Sequence, residues 1–141
     1  MIKEYDGSLQ DCEAILRIDK EVFDEIKMDA PTLQVLLARK KGYRVLIAYE
    51  GDEPAAYIGL LYASTLHYTG LWVDLLATRP HFQNLGLATA LTQKTLEIAA
   101  AENLDCVTAI VRPANLASLA VFDKLGFNHS VEDYTLLSKT L

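Results

Sequence analysis

The sequence predicts a single α/β domain built on a mixed sheet, and three features carry that expectation. Apolar strand-like runs alternate with amphipathic helical stretches from one end of the 141 residues to the other. A long alanine-containing segment, 85–102, lies between an apolar run at 71–78 and a β-branched run at 106–111. No repeat, low-complexity tract or Pro/Gly/Ser linker divides the chain, and its length buries a core without staples. One domain is therefore expected over residues 1–141.

Element by element, Ile2–Tyr5 is a short strand candidate. Ser8-Leu9-Gln10-Asp11 reads as a capping box, with Ser8 as N-cap and the Asp11 carboxylate reaching back. The helix behind it sets Cys12, Ile15, Leu16, Ile18, Val22 and Phe23 on one broad face. Asp29-Ala30-Pro31-Thr32 opens a second helix with proline in its first turn, and Gly42 closes it as the C′ residue. The stretch between them, Asp24 to Asp29, reads as an irregular acidic loop.

Tyr43–Tyr49 and Pro54–Ser64 are strands flanking a Gly51-Asp52 turn. Leu71–Thr78 is the next strand, reached through the polar stretch Thr65–Gly70. The long helix then presents Leu87, Ala90, Leu91, Ile98 and Ala101 at helical spacing, its alanines allowing close approach to a sheet. Cys106–Val111 is a strand ended by Arg112-Pro113. Asn115 caps a further helix that stops at Gly126, and Tyr134–Lys139 is the last strand.

Composition narrows the function classes. A chain 51% hydrophobic and 23% charged is ordinary for a globular protein. Its net charge of −6 argues against nucleic acid as partner, because such binding neutralises phosphates with Lys and Arg. No apolar run approaches the ~18 residues a membrane span needs. Met1-Ile2-Lys3-Glu4-Tyr5-Asp6 lacks the apolar core of a secretory signal, so a cytoplasmic protein is expected. Cys12 and Cys106 are isolated and read as reduced thiols, and His67, His81 and His129 have no ligand spacing, so no metal is expected.

The chemistry concentrates in Leu75-Leu76-Ala77-Thr78-Arg79-Pro80-His81-Phe82-Gln83-Asn84-Leu85-Gly86-Leu87-Ala88-Thr89, a strand, a polar loop and a helix that begins at a glycine. The first four N–H groups of a helix lack intrahelical partners and sit at the positive end of its dipole. Gly86 and Ala88 remove the bulk that would keep a ligand from those amides, so the main chain alone can hold a phosphate there. No G-x-G-x-x-G is present, which weakens a dinucleotide reading.

The spacing Gln83-x-x-Gly86-x-Ala88 after such a strand resembles the acyl-CoA signature of the GNAT superfamily of N-acyltransferases. A second block, Asn115-Leu116-Ala117-Ser118-Leu119-Ala120-Val121-Phe122 with its Lys124-Leu125-Gly126-Phe127 ending, is similar to the family's Asn-x-x-Ala-x-x-x-Tyr. The resemblance implies a sheet of six to seven strands with about four helices, splayed where acetyl-CoA enters. It implies that the strand groups of Leu76, Ala77 and Thr78 pair with the pantetheine arm. The stretch Gln83, Asn84, Leu85, Gly86, Leu87, Ala88 and Thr89 would cradle the pyrophosphate. Asn115 and Phe122 would line the arm's other side. Leu85 stands where many members carry Lys or Arg; Arg79 is the nearby cation that would replace that contact.

Acyl transfer to an amine needs a neutral amine, a polarised carbonyl and a leaving thiolate. The resemblance assigns the carbonyl donor to the Leu76 or Ala77 N–H. Phe122 occupies the place of the tyrosine that often protonates the thiolate, leaving Tyr62, Tyr68, Tyr134 or a water as substitute. Asp74, a carboxylate inside the apolar run Leu71–Leu76, is the candidate catalytic base; relatives acting on diamines carry a carboxylate at the matching place. Trp72 would lie beside it unless a bulge intervenes. The acidic cluster Asp19, Glu21, Asp24, Glu25 and Asp29 reads either as a selector of cationic acceptors or as a solvated face.

The expected function is thus an acetyl-CoA-dependent N-acetyltransferase acting on a primary amine of a small molecule or peptide. The alternative is a non-catalytic acyl-CoA-binding or regulatory domain of the same fold, motivated by Phe122 and Leu85. A toxin acting on charged tRNA suits the fold but conflicts with the negative charge. The resemblance also allows a homodimer through sheet edges or C-terminal strands.

Overall fold

The computed structural model describes residues 1–23 and 27–141. Five strands form one sheet in the order β1 (Ile2–Glu4), β2 (Tyr43–Glu50), β3 (Glu53–Ser64), β4 (Thr69–Thr78), β5 (Cys106–Ala109). The first three joints are antiparallel and the β4–β5 joint is parallel. Helices α1 (Leu9–Val22) and α2 (Ala30–Arg39) cover one face, α3 (Leu87–Ala101) covers the other, and α4 (Leu116–Lys124) packs beside α3.

Alternation along the strands divides the core in two. Leu46, Ile58, Leu60 and Leu71 turn toward Leu91 and Ala99 of α3. Val45, Ile47, Tyr57 and Ala77 turn the other way, against Ala14, Ile15 and Ile18 of α1. The α/β class, the mixed sheet and the four helices agree with the expectation.

Several local expectations do not. Tyr134–Lys139 forms no strand: residues 128–141 make no ladder, and Tyr134, Leu136 and Leu137 are exposed. Apolar alternation is only half of a strand, since the backbone groups also need a partner edge. Among the described residues the sheet accordingly has five strands, not six to seven.

Ser8 Oγ does accept from the Asp11 N–H at 3.2 Å, but the Asp11 carboxylate reaches past Ser8 to the Asp6 N–H at 3.1 Å and Lys3 Nζ at 2.8 Å. Gly42 lies beyond the C′ position, because α2 ends at Arg39 with Lys40 as C-cap.

On α3 the buried positions are Leu91, Thr92, Thr95 and Ala99, while Ala90 and Ala101 face solvent. The two threonines enter the core because each hydroxyl is satisfied within the helix. Thr92 donates to the Ala88 carbonyl and Thr95 to the Leu91 carbonyl.

Candidate active site

The sheet opens at one place. Pairing between β4 and β5 runs from Gly70↔Cys106 to Val73↔Ala109 and stops. Beyond it every second residue of β4 turns its N–H and C=O toward an edge that no strand occupies. A groove of about 460 Å³ starts there, floored by Leu76, Ala77 and Thr78. Gln83, Asn84, Gly86, Leu87, Ala88 and Thr89 form one wall, and Asn115, Ala117, Ser118 and Val121 of the α4 end form the other.

Of the residues expected to hold a cofactor, Leu85 and Phe122 are not on this surface. Leu85 points to solvent, 56% exposed. Phe122 is buried edge-to-face against Phe127, with ring centres 4.9 Å apart. Val121, one residue earlier, takes the lining position, and Phe82 and Val22 join it; none of these three was in the expected set. Helical phase decides between Val121 and Phe122, and a motif matched by position alone does not carry that phase.

The loop turns sharply before α3. A short 3₁₀ turn, Pro80–Phe82, delivers the chain to Gln83. Asn84 has φ 62° and Gly86 has φ 77°, both left-handed. Asn tolerates that region and glycine occupies it freely. Left-handed residues therefore flank Leu85 on both sides. Gly86 is also the N-cap of α3, so the amides that follow it have no intrahelical acceptor. A Cβ on Gly86 would meet nothing within 4 Å; strain and access, not packing, keep glycine there. Asn115 caps α4 through its side chain, accepting from the Ser118 N–H at 3.1 Å, and lines the groove as well.

Arg79 does not replace the missing basic residue. Its Nη2 donates to Glu21 at 2.7 Å, and its Nη1 donates to the Pro54 carbonyl at 2.8 Å and to Glu53 at 3.1 Å. The guanidinium lies 5.0 Å from the Phe82 ring centre and is nearly buried. Arg79 therefore fastens the end of α1 and the start of β3 to the loop after β4.

Arg79→Met is expected to lower stability by about 1–3 kcal/mol through the unpaired Pro54 carbonyl, read as a drop of several degrees in thermal unfolding. Hydrogen bonds from Arg79 hold both Glu21 and Glu53 below the ordinary carboxylate value of 4.5. Groups lowered in the folded state stabilise above the unfolded value and lose that contribution as pH falls. The acid-side loss of stability below about pH 4.5 should thus be shallower in Arg79→Met than in the parent.

Asp74 sits at a bulge. Gly59 pairs with Leu75 and Leu60 with Val73, so Asp74 has no partner across β3. Asp74 is the extra residue of that bulge; it meets Tyr43, which shares a cross-strand row with Leu61 and Trp72, so Trp72 and Asp74 lie on the same face, and the Trp72 Nε1–H donates to Tyr68 Oη at 2.9 Å. Asp74 Oδ2 accepts from the Tyr43 hydroxyl at 2.7 Å. Tyr43 lies on β2, and its phenol crosses over β3 to reach β4. Gly59 makes that crossing possible: a Cβ there would lie 2.3 Å from Tyr43 Oη. Burial first, and then the Asp74 carboxylate, push the Tyr43 phenol well above its ordinary pKa. It is therefore a fixed neutral donor at all working pH values.

The acidic cluster divides. Asp19 is buried and accepts from Tyr57 Oη at 2.6 Å; burial raises its pKa against that hydrogen bond. Glu21 belongs to Arg79, and Asp29 caps α2 by accepting from the Thr32 N–H at 2.9 Å. Asp24 and Glu25 lie outside the described residues. Among the described residues no three His, Cys, Asp or Glu side chains assemble into a metal site, and no helix is long and apolar enough to cross a membrane.

The family model of the acetyltransferase (GNAT) family matches residues 9–127. No curated protein matches the chain by sequence. Among solved structures, an aminoglycoside acetyltransferase from an uncultured soil metagenomic sample, in complex with sisomicin, superposes with a TM-score of 0.83 at 16% identity, over 100% of this chain and 95% of that one. The aminoglycoside antibiotic 6'-N-acetyltransferase AAC(6')-IG from Acinetobacter haemolyticus gives 0.74 at 19% identity, over 100% and 99%. A transcriptional regulator from Bacillus halodurans C-125 gives 0.78 at 14% identity, over 98% and 100%. At such identities the likeness is one of fold.

Proposed function

The chain belongs to the acetyltransferase (GNAT) family, and from that premise we propose that it moves an acetyl group from acetyl-CoA to a primary amine of a small molecule or peptide, directly and without a covalent enzyme intermediate. The observation that carries this reading is the groove: the loop before α3 at one end and the open edge of β4 along its floor. The main chain of residues 83–89 would hold the pyrophosphate, and Leu76, Ala77 and Thr78 the pantetheine arm. Asn115 closes the far side.

When bound, acetyl-CoA supplies an acyl carbon activated as a thioester; its C–S bond breaks as the amine's C–N bond forms. The residues handle protons and polarity. A main-chain N–H at Leu76 or Ala77 would polarise the acyl oxygen. Asp74, oriented by Tyr43, would take the proton an ammonium acceptor must lose before its lone pair can attack. The second amine proton leaves with the thiolate, giving free thiol. Phe122 carries no proton and is buried, so that transfer falls to solvent or to another hydroxyl.

A non-catalytic acyl-CoA-binding domain is the second reading. The missing hydroxyl at Phe122 favours it, and the fold is shared with the transcriptional regulator named above. Under either reading the two free cysteines suit a reducing cytoplasm. The outer edge of β5 and segment 128–141 are the surfaces through which a homodimer would form.

Thermal unfolding with acetyl-CoA, CoA, dephospho-CoA and NAD tests the groove. Saturation to about 100 times Kd adds roughly 2.7 kcal/mol, several degrees for a domain of this size. A rise with the CoA species alone, abolished by Gly86→Val, is the expected result. No rise with any of them removes the cofactor assignment and the enzyme reading with it.

A further inference from the structure

We infer that the acceptor is a singly charged primary amine carried on an apolar body, not a polycation; the inference rests on the acetyl-transfer reading above and narrows its substrate class. Two observations carry it. The first is a partly uncovered apolar floor around Asp74. Cross-strand pairing puts Tyr43, Leu61, Trp72 and Thr108 in one row on the α1 face of the sheet, and Val45, Gly59 and Leu75 in the next. Helices α1 and α2 cover the β2 end of these rows, packing on Tyr43 and Val45. Over β3 and β4 the cover is partial: the Tyr43 phenol lies over Gly59 and Trp72 is half-buried beside Tyr68, while Leu61 is 45% exposed and Leu75 40%. Exposed apolar side chains grouped about one carboxylate mark a ligand surface more than a solvated face.

The second observation is the state of the acids. A polycation needs several carboxylates free to receive it. Among the described acids on this side, Asp19 is buried under Tyr57, Glu21 and Glu53 are bound to Arg79, and Asp29 is bound to the α2 cap, Asp24 and Glu25 lying outside the described residues. Asp74 differs from these in being exposed and in accepting only from a neutral phenol, with no cationic partner among the described residues. One ammonium therefore finds a charge partner at Asp74, and the carbon body attached to it finds Leu61, Trp72 and Leu75. A second or third ammonium on the same body would be set against those apolar groups and lose hydration without compensation.

The test is acetylation by the full chain at saturating acetyl-CoA, comparing 2-phenylethylamine and cyclohexylmethylamine with spermidine and sisomicin. The expected result is a kcat/KM for the two monoamines about tenfold or more above that of either polycation. Leu61→Glu, an exposed position on the floor, should lower the monoamine values and raise that of spermidine, shrinking the ratio. Polycations turned over faster than monoamines, or a ratio unmoved by Leu61→Glu, would overturn the inference while the acetyltransferase reading stood. Turnover of none of the four would instead strike the parent reading, and the inference would fall with it.

Discussion

Asp74→Asn is expected to lower kcat for amine acetylation by about 10²-fold or more, the scale of a lost general base, with the KM for acetyl-CoA unchanged. The amide is the same shape as the carboxylate and can still accept the Tyr43 hydroxyl through its oxygen, so the bulge and the phenol stay where they are. What it cannot do is take a proton. Asp74 does not line the groove proposed to hold acetyl-CoA, which is why cofactor affinity should not move. Steady-state kinetics against both substrates check this. An unchanged kcat would remove Asp74 as the base and leave Trp72, Leu61 and Leu75 as a binding surface without chemistry.

Gly59→Ala should be almost as damaging from a position that touches no ligand. The new Cβ would stand 2.3 Å from Tyr43 Oη and 3.1 Å from its Cζ, so the phenol has to leave its place over β3. Asp74 then loses the Tyr43 hydroxyl, its one side-chain donor among the described residues. The expected kcat loss is on the order of tenfold to 10²-fold, typical of a misplaced catalytic group, with an overpacking cost of about 1–3 kcal/mol. Tyr43→Phe removes the hydroxyl without the clash and should reproduce the kinetic loss with the thermal midpoint less affected. Because both substitutions break one hydrogen bond, the double variant should be far from additive in kcat. Additive losses would mean that Gly59 and Tyr43 act independently, and the positioning role would be withdrawn.

These two residues also show where reading a sequence stops. Gln83-x-x-Gly86-x-Ala88 was legible because its meaning is local: a left-handed glycine, an N-cap and free amides are all decided within a few residues. Asn115 was legible for the same reason, its capping bond spanning three residues. Asp74 stood out as a charge in an apolar run.

Its partner did not, because Tyr43 is 31 residues away and reaches it only through the β2–β3 and β3–β4 registers. Nothing in the run Pro54–Ser64 marks Gly59 as the glycine over which the Tyr43 phenol passes. Arg79 looked like a spare cation beside the loop; its engagement with Glu21, Glu53 and Pro54 is long-range and invisible in a one-dimensional pattern. The C-terminal strand failed in the opposite sense. Tyr134–Lys139 has the composition of a strand, but pairing is a property of two segments. Thr92 and Thr95 are buried despite their polar side chains, because each hydroxyl donates to a carbonyl inside α3.

The most direct test of the whole account is amine-dependent turnover by the unmodified protein. Acetyl-CoA and 2-phenylethylamine would be incubated with it, and free thiol and N-acetylated amine measured together over time. The expected result is thiol and acetylated amine appearing in equal amounts, with negligible thiol when the amine is left out. Saturable binding of acetyl-CoA with no acetylated product from this or any other primary amine would contradict it, and would leave a binding domain that has kept the groove and lost the reaction.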